Sequence, residues 1–292
     1  MKTFGRFKQI LSEGGNVKIG DVAAGPLTVT AANRTEHQHD VHTMLSHVHD
    51  SMHAEHGVHL FGKDKKALHS HSAFSGSTKH LMNNDISHSD FAKHKSSVGD
   101  LDVSVPHEHY DKLHAHLTAG KKFGKYHVVG TKKSGSETHA LMKHENGQVH
   151  QVDFEKSTYH KDEPNEFTQF GHGSHWDDTK SGIKGVHHKL LLNAAGTNKH
   201  KFSTMYGAKS RTDDKDSYAS TKKDITHKIF GKGADHAHLD SFHGVSHLIK
   251  NHIPKEHHQA VYDKFKSSVD VKKGIDHEPA LKHLHKALEL HK

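Results

Sequence analysis

The sequence predicts an α+β fold: a mixed β-sheet with flanking helices, followed by a helical C-terminal region. Three observations predict it. From Asp100 to Val105, polar and apolar side chains alternate at the period of a strand. Glu145-Asn146-Gly147 separates two further strand-like runs, at 137–143 and 147–154, as a hairpin turn does. From Ile225 onward apolar residues recur at spacings of three and four, as in Phe242, Val245, Leu248 and Ile249.

Along the chain, residues 1–13 form an amphipathic helix candidate, with Phe4, Phe7, Ile10 and Leu11 on one stripe and Gly14-Gly15 as its break. Residues 16–30 read as extended chain with a turn at Gly25-Pro26. Thr35-Glu36-His37-Gln38 has the form of a capping box, and Val41, Leu45, Val48 and Met52 continue as a helix that Gly57 stops. Ala73-Phe74 reads as a strand end, Gly76 as a tight turn and Ser77 as a helix opening. A polar insertion over 83–98, partly helical near Phe91, leads to the Asp100–Asp102 strand. Pro106 ends that strand, and Tyr110, Leu113 and Leu117 mark the next helix. Tyr126–Gly130 is another strand. Asp177-Asp178 would cap a helix from about Thr179 to Ala195, with Ile183, Val186, Leu190 and Leu191 on one face. Trp176, the sole tryptophan, reads as a core anchor or a stacking platform for a base. Residues 196–224 are polar, an exposed loop or hairpin, and helices follow over 240–252, 256–267 and 280–290. The organisation expected is a leading segment (1–13), a sheet-bearing unit (14–195), the polar stretch (196–224) and a helical region (225–292).

Composition narrows the function. No apolar run approaches membrane-spanning length, so a soluble chain with no membrane partner is expected. The absence of cysteine excludes disulfides and thiolate metal sites. The formal charge of +7 favours polyanion contacts, packaged DNA among them. Arginine occurs only at Arg6, Arg34 and Arg211, which argues against dedicated base readout. The 39 histidines are dispersed, read as surface residues, and show no spacing of a structural zinc site.

The chemistry concentrates at Asp100 and Asp102. Carboxylates at i and i+2 of a strand share one face and repel unless a cation lies between them. Hard oxygen donors of this kind suit Mg²⁺. Asp153, on the second hairpin strand between Val152 and Phe154, projects from the face opposite those two apolar side chains.

Gly76-Ser77 before a helix, Asp100-x-Asp102 on a strand and Asp153 on a later strand resemble the pattern of the DNA polymerase β-like nucleotidyltransferase superfamily. The resemblance covers roughly residues 70–155, and the long interval between Ser77 and Asp100 departs from it by an insertion. It implies a nucleotidyltransferase-like mixed sheet that moves a nucleoside monophosphate from an NTP to a hydroxyl of RNA, protein or a small molecule. On that resemblance Gly76 and Ser77 hold the nucleotide phosphates. Asp100, Asp102 and Asp153 bind two Mg²⁺ or Mn²⁺ ions, and Asp153 helps deprotonate the acceptor. Lys184 and Lys189 face the β- and γ-phosphates, by role rather than by motif. Leu11-Ser12-Glu13 before Gly14, directly after the amphipathic start, resembles the capsid-targeting segment and prohead-protease cleavage site of internal head proteins of T-even-type phages. That implies cleavage between Glu13 and Gly14, a place in the virion head and later delivery to the host cytoplasm. A non-enzymatic internal head protein that binds packaged DNA through lysine and histidine is the competing expectation.

Overall fold

The computed structural model describes residues 17–171, 175–196, 200–203, 207–210, 218–272 and 274–290. The N-terminal segment, its Glu13-Gly14 junction and Tyr206 lie outside the described residues. The fold is mixed α+β, as the sequence predicts.

The first half opens with the short strands β1 (Lys18–Ile19), β2 (Val22–Ala23) and β3 (Leu27–Thr28). Four helices follow: α1 (Arg34–His56), α2 (Lys66–His69), α3 (Gly76–Met82) and α4 (His88–His94). Then come β4 (Ser97–Val98), which pairs with β3, and β5 (Leu101–Pro106). After α5 (Tyr110–His116), three antiparallel strands follow a short one: β6 (Lys122–Phe123), β7 (Tyr126–Ser134), β8 (Glu137–His144) and β9 (Val149–Ser157). The sheet order is β5-β9-β8-β7-β6, and only β5 and β9 run parallel. Leu101, Val103 and Val105 of β5 and Val152 and Phe154 of β9 turn one face of that sheet into the first core, with α1 and α5.

The strand pair β10 (Tyr159–His160) and β11 (Glu163–Pro164) leads to α6 (Glu166–Gly171), α7 (Trp176–Lys180) and α8 (Gly185–Ala195). The polar stretch contributes a three-stranded sheet, β12 (His200–Ser203), β13 (Gly207–Ser210) and β14 (Tyr218–Ala219). The helices α9 (Lys222–Phe230), α10 (Phe242–His252), α11 (His258–Asp270) and α12 (Glu278–Ala287) complete the chain. Phe167 of α6 and Leu191 and Leu192 of α8 pack with these helices in a second core. Among the described residues no helix is long and apolar enough to cross a membrane.

Local expectations fail in three places, the last for a long-range reason. α1 starts at Arg34, so Thr35 lies inside it and the capping-box role passes to Asn33 and Thr30, which bond each other reciprocally at 2.7 and 3.2 Å. The helix expected from Thr179 to Ala195 is two helices. Gly182 takes φ +76°, and the amides of Gly182 and Ile183 close back on the carbonyls of Thr179 and Asp178. Asp178 does not cap its own helix. It is fully buried and accepts from the Phe242 amide at 2.7 Å, at the start of α10, while it also engages the His243 imidazole.

The histidines are a further correction. Among the described residues eight are buried (His49, His80, His116, His139, His150, His187, His188 and His258), where they serve as polar parts of the interior. His49 shows how: its Nδ1 accepts from the Phe61 amide at 3.1 Å, and burial pushes its pKa down to about 4.

The short α7 joins the two cores. Trp176 stacks on Phe91 of the first core, with ring centroids 5.9 Å apart, and its indole N–H donates to Asp90 at 2.8 Å. Trp176 is therefore an anchor, while Asp178, two residues on, engages the second core. Trp176→Ala is expected to lower unfolding stability by about 3 kcal/mol in urea melts followed by circular dichroism. A loss indistinguishable from zero would show that α7 does not join the halves.

Candidate metal centre

The acidic residues are assembled by register. Asp102 of β5 lies directly opposite Asp153 of β9, and Asp153 lies opposite His139 of β8. The next row on the same face is Ser104, Glu155 and Glu137. These side chains leave the sheet on the side away from the first core, because Val103, Val152 and Phe154 occupy the other side. One carboxylate oxygen from each of Asp100, Asp102 and Asp153 can be chosen so that all three lie within 4.8 Å of one another.

The corner at Gly76 is built around this cluster. The Phe74-Ser75 segment lies along the outer edge of β5, with the Ser75 amide donating to the Asp102 carbonyl at 3.2 Å. Thr78 Oγ1 accepts from the Asp102 amide at 2.8 Å and so ties α3 to the acidic strand. Gly76 has φ +53°, and a Cβ there would lie 2.0 Å from Asp102 Oδ2. Only glycine satisfies both the backbone conformation and the approach. Ser77 sits half-buried in the first turn of α3.

Asp153 is held from two sides. Its Oδ1 lies 2.7 Å from His139 Nδ1, and Gln151 Nε2 lies 2.9 Å from each carboxylate oxygen. Gln151 Oε1 in turn accepts from the Val17 amide at 2.6 Å, so the start of the described chain reaches the site. The hydrogen bond to Asp153 raises the His139 pKa against the opposing effect of burial. Glu155 is buried beside them, and Ser75 Oγ lies 3.4 Å from its Oε2.

Crowding of like charge out of water governs the electrostatics. Burial first, and the charge of Asp153 second, push the Asp100 carboxyl up to about 6. Asp102 is driven well above the ordinary carboxyl range, by burial and then by Asp100, Glu155 and Asp153. The Lys95 ammonium is lowered by its own burial, while Asp100 and Asp102 pull it back up and Lys184 pushes it down. Lys95 and Lys184 are therefore within electrostatic reach of this corner. Lys184 is the exposed residue that precedes α8, and Lys189 lies half-buried in that helix's second turn.

These residues fit a divalent cation. The donors are hard oxygens only, which suit Mg²⁺ or Mn²⁺ and not a thiophilic ion. Ser104 Oγ, buried on the same face, has no hydrogen-bond partner among the described residues. A cation among the three carboxylates offsets the repulsion that raises Asp100 and Asp102.

Sequence reasoning reaches the three aspartates but misses four companions. Glu155 had a signal, its i+2 spacing from Asp153. Gln151 had the same signal on the other side. His139 follows once the 145–147 turn fixes the hairpin register. Lys95 stands only five residues before Asp100, but nothing in that spacing says that its side chain is buried toward the carboxylates.

The raised carboxyls set a pH dependence. Asp100 titrates higher in the folded chain than unfolded, so its stabilising contribution is full below about pH 4 and is lost as pH rises through about 6. In chelator-treated protein, melting temperature is expected to fall across that window, and Asp102→Asn to raise it at neutral pH by removing a buried like charge. Calorimetry of both proteins checks this, and a flat profile with no gain from the substitution would contradict it.

Comparison with protein-family models, curated proteins and solved structures finds no match to this chain. The assignment of function therefore rests on the chemistry of these residues.

Proposed function

We propose that the chain is a metal-dependent nucleotidyltransferase of the DNA polymerase β-like type. The observation that carries the reading is the meeting of Asp102 and Asp153, on one sheet face, with Asp100 from the bend before β5, against a Gly76 corner that nothing larger than glycine can occupy.

In this reading the three carboxylates hold two Mg²⁺ or Mn²⁺ ions. Ions held there would neutralise phosphate charge and acidify an acceptor hydroxyl. Gly76 and Ser77 line the nucleotide's place at the corner, and Lys184, with Lys189 further along α8, meets the β- and γ-phosphates. The acceptor oxygen bonds to the α-phosphorus, the bond from that phosphorus to the β-bridging oxygen breaks, and pyrophosphate leaves. The acceptor proton passes to Asp153 Oδ2, the oxygen that His139 does not engage. Gln151 and His139 keep Asp153 aimed for that transfer, which supports rate through orientation. Burial of Asp153 and Glu155 keeps water from competing with the acceptor. Packaging in a virion head belongs to the same proposal and rests on residues 1–14 alone.

The test uses α-labelled NTPs with RNA, protein and small-molecule acceptors. Asp100→Asn with Asp102→Asn is expected to reduce label transfer by about 1,000-fold or more. Lys184→Ala is expected to raise the NTP KM about tenfold with a smaller effect on kcat. Transfer unchanged by the double substitution would end the proposal.

A further inference from the structure

On the core side of the sheet, the C-terminal ends of α1 and α5 meet. We propose that Glu55, His56 and His116 form a second metal site there, one that takes a borderline transition ion such as Zn²⁺. It is independent of the nucleotidyltransferase reading and uses a different donor chemistry.

The first support is distance. His116 Nδ1 lies 3.1 Å from His56 Nε2 and 3.5 Å from Glu55 Oε2. Zinc bonds of about 2.0–2.1 Å arranged tetrahedrally place their ligand atoms about 3.3 Å apart. The two separations bracket that value, so these donors stand where zinc ligands stand with little movement.

The second support is the tautomer. Ser51 Oγ donates its one proton to Glu55 Oε1 at 3.1 Å. The same oxygen lies 2.9 Å from His116 Nε2, so the ring must be the donor in that contact. His116 therefore carries its proton on Nε2 and presents the Nδ1 lone pair to His56 and Glu55. Metal-bound histidines are oriented in this way, by a partner on the other ring nitrogen. The His116 side chain is 1% exposed, so its ring is fixed.

The third support is that a cation already uses these donors. Lys121 Nζ lies 2.8 and 2.9 Å from the two Glu55 oxygens and 3.0 Å from His116 Nδ1. The ammonium reports a point where lone pairs converge on positive charge. A divalent ion brings twice that charge and makes coordinate bonds to the nitrogens. The Lys121 side chain is 22% exposed and Glu55 beside it 52%, so the ammonium has an open side toward which an incoming ion can displace it. The imidazole nitrogens favour zinc, nickel or copper over the magnesium suited to the acidic cluster. Bound there, the ion ties α1 to α5, the helix that directly follows the acidic strand.

The test is Zn²⁺ competition against a chromogenic chelator, with millimolar Mg²⁺ present to occupy the acidic cluster. The other histidines add weak sites, so the readout is the tightest equivalent. His56 is exposed and can be replaced without opening the core. His56→Ala is expected to weaken that equivalent by about 100-fold, and Lys121→Gln, which removes the competing ammonium, to tighten it about tenfold. His56→Ala that binds as tightly as the wild type, or Lys121→Gln that binds no tighter, overturns the site.

Discussion

The parallel pairing of β5 with β9 is the constraint on which the rest depends. It sets Asp102 beside Asp153 and Ser104 beside Glu155, an arrangement that opposes folding through like-charge repulsion. The same pairing sets Val103 beside Phe154 on the other face, inside the first core. Apolar burial on one side of a strand thus holds carboxylates together on the other, and the two cannot be separated, because strand side chains alternate at a period of two.

Support for the acidic corner comes from a chain of contacts that reaches well beyond it. Arg34, buried at the start of α1, donates to the carbonyls of His80, Leu81 and Ile86 and lies over the Phe91 ring. It satisfies the open carbonyls at the end of α3 and so fixes the helix whose first residue is Gly76. Phe91 is also the platform for Trp176, and Asp178 of the same short helix holds the start of α10. The acidic face and the second core are joined through a few residues, each a buried polar or aromatic group with a specific partner.

The histidines divide by surroundings. His139 is hydrogen-bonded to an aspartate and gains basicity, whereas in His49, His116, His150 and His187 desolvation by burial outweighs any nearby carboxylate and they lose it. Many of them are therefore neutral polar groups of the interior, and the same property that removes their charge equips His116 to act as a ligand. The two candidate sites lie on opposite sides of the sheet, the all-carboxylate one on the outer face and the one richer in imidazole on the core side.

Local patterns in the sequence determined the strands that carry Asp102 and Asp153, the hairpin around Asn146-Gly147, and the helices on either side, because period and turn chemistry act over a few residues; Asp100, expected on the first of these strands, lies in the bend just before it. They also determined that a helix opens at the Gly76-Ser77 turn, though not that Asp102 presses against Gly76. Tertiary structure alone decided that Asp178 serves α10 instead of its own helix, and that His116 meets His56 across sixty residues of chain. Each of these depends on which surfaces pack together, and packing is settled by the shape and burial of the whole chain, which no short window of sequence contains.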